Sequence, residues 1–235
     1  MRTIVVGDIH GCFREFQELL AKVHFSEEED QLILLGDLMD RGPDSYPVLR
    51  RVMELREKMG DRLIFVRGNH EDIFLRAVFW GDDRSWKRNG YEATVRSFEE
   101  HGERYRDYAD WIEENSVLFW KGEEIQCVHG GMTVPELEKN TAHDLIWNRT
   151  AIRENFYSGR LTIIGHTNME KPMYGDGNGG ELIPISCQKW QPLPKTGLID
   201  LDSACVYGRS LTAMIVENGR FMLEEVTSYQ EKSEM

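Results

Sequence analysis

Short, unbroken apolar runs mark the first third of this chain, at residues 4–6, 32–35 and 63–66. Runs of that length bounded by Gly and Asp predict buried strands rather than helices. Between them the apolar positions change period. Phe13, Phe16, Leu19, Leu20 and Val23 fall at helical spacing, as do Val48, Leu49, Val52, Met53 and Leu55 within a second helix predicted over residues 46–59. A third helix is predicted from near Asp72, through Ile73, Phe74, Ala77 and Val78. Strands separated by helices of this length imply β-α-β units and a parallel sheet.

The rhythm breaks at about residue 80. From there to about residue 120 the chain is rich in charge and in rings (Trp80, Trp86, Tyr91, Phe98, Tyr105, Tyr108, Trp111), and predicts helices without intervening strands. We read it as a helical cap inserted within a single domain spanning residues 1–235, most of its rings packing the cap's own small core. The remainder is β-rich, with strands expected at 125–128, 161–164, 198–201, 211–216 and 221–226, a loop at 175–180, and a frayed polar end at 228–235.

Composition narrows the class. A length of 235 residues with 40% hydrophobic content is globular and supports a sizeable core. No apolar run is long enough to span a bilayer, and Met1 leads almost directly into a strand, so neither an anchor nor a signal peptide is expected. Cys12, Cys127, Cys187 and Cys205 are widely spaced without a C-x-x-C pair, and read as reduced thiols in a cytoplasmic protein. The net charge of −13 argues against nucleic acid and anionic membrane as partners.

The chemistry sits where the apolar runs end. Gly7-Asp8-Ile9-His10-Gly11 follows the first, Gly36-Asp37-Leu38-Met39-Asp40-Arg41-Gly42 the second, and Gly68-Asn69-His70-Glu71 the third; His129 and His166 follow later runs. Open α/β sheets place their ligand crevice at the carboxyl ends of strands. On extended chain, positions i and i+2 point the same way, so Asp8 and His10 can reach one ion together. Asp37 offers two oxygens that suit bridging two ions, and Asn69 a neutral amide oxygen, while His70 stays free for proton transfer. Such a thiolate-free N/O set suits Mn, Fe or Zn rather than Ca or an iron–sulfur cluster.

Taken in order, G-D-x-H-G, G-D-x-x-D-R-G, G-N-H-E, H-G-G and G-H-T resemble the calcineurin-like metallophosphoesterases, within them the phosphoprotein phosphatase branch. The segments Leu145-Ile146-Trp147-Asn148-Arg149 and Trp86 to Gly90 are similar to those of the bacteriophage lambda type of protein phosphatase. The resemblance implies a four-layer α-β-β-α sandwich in the α/β class and two divalent metal ions, Mn before Fe or Zn. It assigns one ion to Asp8, His10 and Asp37, and the other to Asp37, Asn69, His129 and His166. It makes Arg41 and Arg149 the phosphate grips, His70 the general acid and Asp40 its orienting partner. A water shared by the ions would be the nucleophile. Asp202 aligns with a family Asp, whereas Leu38, Met39 and Met132 depart from the usual residues without removing a ligand.

The expected activity is therefore phosphoester hydrolysis, in first place on serine, threonine or tyrosine phosphoproteins, with other small phosphoesters as further substrates. Symmetrical hydrolysis of dinucleoside tetraphosphates is the alternative, and a non-catalytic binding scaffold a remote one. Trp86 and Tyr91 are expected as exposed rings that meet the substrate beyond its phosphate, and Glu71 as a residue that orients backbone or a neighbouring Arg rather than binding metal.

Overall fold

A computed structural model of the chain describes residues 1–233. In chain order it sets strands β1 (Thr3–Val6), β2 (Gln31–Leu34), β3 (Leu63–Val66), β4 (Ser116–Val117), β5 (Phe119–Lys121), β6 (Gln126–Val128) and β7 (Thr162–Ile164). They are followed by β8 (Met173–Gly175), β9 (Ile183–Pro184), β10 (Gln191–Pro192), β11 (Leu198–Asp200), β12 (Ser210–Glu217) and β13 (Arg220–Thr227). The helices are α1 (Phe13–Lys22), α2 (Ser45–Met59), α3 (Asn69–Trp80), α4 (Arg84–Lys87), α5 (Tyr91–Glu100), α6 (Ala109–Asn115), α7 (Ala142–Trp147) and α8 (Thr150–Arg153).

Two sheets form. One runs β10-β13-β12-β1-β2-β3-β4, with β1 to β4 parallel and the β12–β13 hairpin antiparallel beside β1; the other runs β5-β6-β7-β11-β8-β9, with β6, β7 and β11 parallel. The apolar runs are unbroken because both faces of these central strands are buried. Successive side chains alternate. Ile4, Val6, Leu32, Leu34 and Phe65 face Phe16 and Leu19 of α1 and Val48, Val52 and Leu55 of α2. Their neighbours Val5, Ile33 and Val66 face Cys127, Ile163 and Ile199 of the second sheet. That sheet's outer face, at Val128, Ile164 and Leu198, is closed by Leu145 of α7 and Ala151 and Ile152 of α8. The layers are thus α-β-β-α, each fully buried aliphatic contributing roughly 1.5–3 kcal/mol.

Three local readings change. Helix α3 begins at Asn69, not near Asp72, because Gly68 ends the strand in extended conformation and the Glu71 carboxylate accepts the Gly68 N–H at 2.9 Å, capping the first turn. The ring-rich segment ends in strands β4 and β5, too short to carry a period-two pattern, which attach to opposite sheets. Its helices lie on the outer layer, α5 against α2, and α4 and α6 against α3. The polar end is tied down through residue 233: the Arg14 guanidinium sits 3.6 Å from the Tyr229 ring centre, and the Tyr229 N–H donates to Glu15 at 2.8 Å. Residues 234 and 235 lie outside the described residues. All four cysteines are free thiols, and no described helix is long and apolar enough to cross a membrane.

Candidate metal centre

Parallel strands in each sheet deliver their carboxyl ends to one edge, where the ligand-type residues meet. Strand β1 leads into Asp8 and His10, β2 into Asp37, β3 into Asn69 and His70, β6 into His129, β7 into His166, and β11 into Asp200 and Asp202. The backbone turns sharply at each exit. His10, Asp37, Asp40, Arg41 and His166 have φ of 45, 50, 70, 69 and 67°, in the left-handed region that costs such residues about 1–3 kcal/mol each. The strand exits brace one another. Asp37 carbonyl oxygen accepts the Ile9 and His10 N–H groups at 3.2 and 2.8 Å, Asp37 Oδ1 accepts His70 N–H at 2.9 Å, and Asp8 Oδ2 accepts His166 N–H at 3.0 Å. At Gly165 an added Cβ would collide with the Asp8 carboxylate, so only glycine lets the β7 exit approach it.

Acceptor atoms converge at this edge. His10 Nδ1 lies 2.8 Å from Met39 carbonyl oxygen and His129 Nδ1 lies 2.7 Å from Leu35 carbonyl oxygen, so both rings donate there and turn Nε2 inward. His10 Nε2 then stands 3.4 Å from Asp37 Oδ2, and His129 Nε2 stands 3.4 Å from Asp37 Oδ1 and 3.1 Å from Asn69 Oδ1. Lone pairs facing lone pairs need a proton or a cation between them. His166 Nε2 and Asp202 Oδ2 are buried with no partner among the described residues. Two groupings of nitrogen and carboxylate oxygen, His10–Asp37–His70 and Asp37–His129–His166, are each tight enough to hold an ion.

Electrostatics point the same way. Burial, reinforced by Arg41 and His70, pushes the His10 imidazole well below its usual value, and burial with His129 and Arg149 takes His166 down to about 2. Both rings are therefore neutral and keep a lone pair. Burial pushes the Asp8 carboxyl well up, as do the nearby Asp202, Asp37 and Asp200. For Asp37 burial acts upward too, but His129, His70 and His10 outweigh it and hold the carboxyl well below the usual range. His129 is drawn up despite burial, by Asp37. Four buried carboxylates crowded beside the neutral imidazoles of His10 and His166 form a donor set that fits divalent cations.

Around this centre His70 Nδ1 meets Asp40 Oδ2 at 2.7 Å, while its buried Nε2 has no hydrogen-bond partner among the described residues and lies 3.9 Å from Asp37 Oδ2. Arg41 Nη1 is 2.6 Å from His10 Nε2, and Arg149 Nη1 donates to the His166 carbonyl at 2.5 Å. The residues that the resemblance assigns to metal, phosphate and proton transfer thus lie near one another. Glu71 accepts backbone N–H groups from Asp37, Leu38 and Gly68 at 2.8, 2.9 and 2.9 Å; burial, with Asp37 next, raises its carboxyl to about 7.

Trp86 requires a correction. It is 1% exposed, not a surface ring, and its indole N–H donates to Asp40 at 2.8 and 3.0 Å. Thr94 Oγ1 donates to the same carboxylate at 2.5 Å. Tyr91 is half-buried, its ring centre 4.8 Å from that of Trp86. The aromatic segment therefore reaches the centre from behind, through Asp40. Sequence reading also left Asp200 out and gave Asp202 no role at the centre; the signal was their place just past an apolar run, as with Asp37.

A sequence model of the calcineurin-like phosphoesterase family matches residues 1–192. The chain is 39% identical to a symmetrical bis(5'-nucleosyl)-tetraphosphatase of Vibrio parahaemolyticus serotype O3:K6 (strain RIMD 2210633), over 96% of this chain and 99% of that protein. Among solved structures it resembles a metallophosphoesterase from Sphaerobacter thermophilus, with TM-score 0.67, 17% identity and coverage of 97% and 89% of the two chains. It also resembles a protein serine/threonine phosphatase from Saccharomyces cerevisiae, with TM-score 0.66, 16% identity and coverage of 98% and 81%.

Proposed function

This chain belongs to the calcineurin-like phosphoesterase family, and from that premise we propose that it hydrolyses dinucleoside tetraphosphates at the central bridging oxygen, giving two nucleoside diphosphates. The observation that carries the substrate class is the end-to-end similarity to a protein bearing that activity in its name. This reverses the expected order of substrates. The W-N-R segment had favoured phosphoproteins, but likeness to a protein phosphatase at 16% identity extends to the fold alone.

Asp8, His10, Asp37, Asn69, His129 and His166 would hold two divalent ions, Mn in the first place. When bound, such ions supply an acidified water and neutralise charge on the phosphoryl oxygens. The protein's own groups do the rest. Arg41, beside His10, and Arg149, beside His166, present guanidiniums that pair with phosphoryl oxygens. His70, its Nδ1–H held by Asp40, carries a proton at Nε2 and gives it to the departing oxygen. A nucleoside diphosphate leaves more readily than an alkoxide, so this proton matters less here than for a phosphoserine. On the Arg149 side, the Trp147 ring lies 6.1 Å from that of His166 and stacks on His143 at 6.2 Å and 20°, a ledge suited to a base.

The test is turnover of diadenosine tetraphosphate and of a phosphoserine peptide by Mn²⁺-loaded protein, with products separated by chromatography. We expect ADP as the sole nucleotide product and faster turnover of the dinucleotide. Dephosphorylation of the peptide with no cleavage of the dinucleotide, or release of ATP with AMP, overturns the proposal.

A further inference from the structure

A tetraphosphate presents more negative charge than the two guanidiniums at the reacting phosphorus can meet, and it approaches a protein of net charge −13. We infer that Arg88 holds a phosphate beyond the one under attack, and so selects polyphosphates over monoesters. The inference deepens the substrate reading above and rests on it.

Arg41, whose Nη1 lies 2.6 Å from His10 Nε2, also lines a hollow of about 370 Å³ together with Arg88, Asn89 and Tyr207 among others. Among the described residues, none of its lining is acidic. A second hollow that Arg41 lines includes Glu100, and one that Trp147 lines includes Asp82. Among the described residues, the first of these three offers an anion donors without a competing carboxylate.

Arg88 also differs from its neighbours. Arg84 pairs with Asp82 at 3.5 Å, Lys87 with Asp83 at 2.6 Å and Arg104 with Asp107 at 2.7 Å. Arg88 is exposed and makes no ion pair or side-chain hydrogen bond among the described residues. An exposed Arg is usually a solvated charge, but the backbone here is pinned to the centre on both sides. Two residues before it, Trp86 donates to Asp40. Two residues after it, Gly90 has φ +106°, and a Cβ there would collide with the Arg41 backbone nitrogen. Between them the Asn89 side-chain amide donates to the Ser85 carbonyl at 2.8 Å. The backbone that carries Arg88 is thus packed against the backbone of Arg41, so that both residues line the same hollow.

The experiment uses Mn²⁺-loaded full-length protein and p-nitrophenyl phosphate as reporter. Inorganic tripolyphosphate and orthophosphate serve as competitive inhibitors, for wild type, Arg88→Ala and Arg84→Ala. We expect Arg88→Ala to weaken tripolyphosphate about tenfold or more, as loss of a charge-assisted contact implies, and orthophosphate much less. Arg84→Ala should change neither. The kcat/KM for diadenosine tetraphosphate should fall with the tripolyphosphate constant in Arg88→Ala. Equal weakening of both inhibitors, no weakening of either, or the same pattern in Arg84→Ala overturns the role of Arg88. A wild-type protein that fails to cleave the dinucleotide while tripolyphosphate still responds to Arg88 overturns the substrate reading and leaves the polyphosphate subsite standing.

Discussion

Replacing Asp40 with Asn tests whether that carboxylate acts through its charge or merely through its shape. Asp40 is fully buried and receives His70 Nδ1–H at 2.7 Å on Oδ2, Trp86 Nε1–H at 3.0 Å on Oδ2 and 2.8 Å on Oδ1, and the Thr94 hydroxyl on Oδ1. An amide must point its NH₂ toward one of these groups. Toward His70 it would meet an N–H with an N–H and force the ring to its other tautomer. Toward Thr94 it meets a hydroxyl that can turn and accept, while the Trp86 N–H loses Oδ1 and keeps the Oδ2 position at 3.0 Å as its acceptor, so the amide oxygen stays on His70. Geometry therefore survives and the negative charge is lost. A hydrogen bond to a charged group contributes roughly 1.5–3 kcal/mol against about 0.5–1.5 for a neutral one, a difference of about 1–2 kcal/mol. At about 1.36 kcal/mol per decade this predicts a fall in kcat of about five- to thirtyfold where protonation of the leaving group limits the rate. The assay compares phosphoserine, a poor leaving group, with p-nitrophenyl phosphate, a good one, at saturating Mn²⁺. The loss should be confined largely to phosphoserine, with bound metal unchanged by elemental analysis. Equal losses on both substrates, or loss of metal, would refute the reasoning and make Asp40 a structural residue of the centre.

Arg149→Ala should lower kcat/KM about ten- to a hundredfold on aryl phosphate and dinucleotide alike. Because Arg149 also holds the His166 carbonyl, the variant should need more Mn²⁺ for half-maximal activity; an unchanged metal requirement would separate the two roles. Glu71→Gln replaces one of two oxygens that accept three backbone N–H groups, and should destabilise the fold by about 1–3 kcal/mol in denaturant titration. Removing divalent ions with a chelator should abolish hydrolysis and lower Tm, since Asp8, Asp37, Asp200 and Asp202 are then left facing one another; re-addition of Mn²⁺ should raise Tm with its concentration, as linkage requires.

Much of the site was legible in the chain because its residues follow strands buried on both faces. Such strands write themselves as unbroken apolar runs, and the polar residue at each end is forced out at the sheet edge. Asp8, His10, Asp37, Asn69, His129 and His166 could be picked out for that local reason, and alternation of strand and helix then implied parallel exits on one side. The start of α3, by contrast, depends on Glu71 reaching back to Gly68, a contact that no periodicity encodes. Strands β4 and β5 are two and three residues long, and only pairing with different sheets makes them strands.

What tertiary structure alone decided is how the aromatic segment meets the chemistry. By sequence Trp86 is one ring among many in a charged stretch, 46 positions from Asp40. Its amphipathic side chain suits a surface as well as a core, and a single indole N–H gives no hint of its acceptor. Folding places that N–H on a buried carboxylate, where an unmet charge would be costly, and so turns a residue read as a substrate contact into a support for His70. The same packing sets Gly90 against Arg41 and carries Arg88 to the rim. Residue type and local spacing determined which groups could bind metal and phosphate; distances between remote segments determined which of the remaining charges serve them.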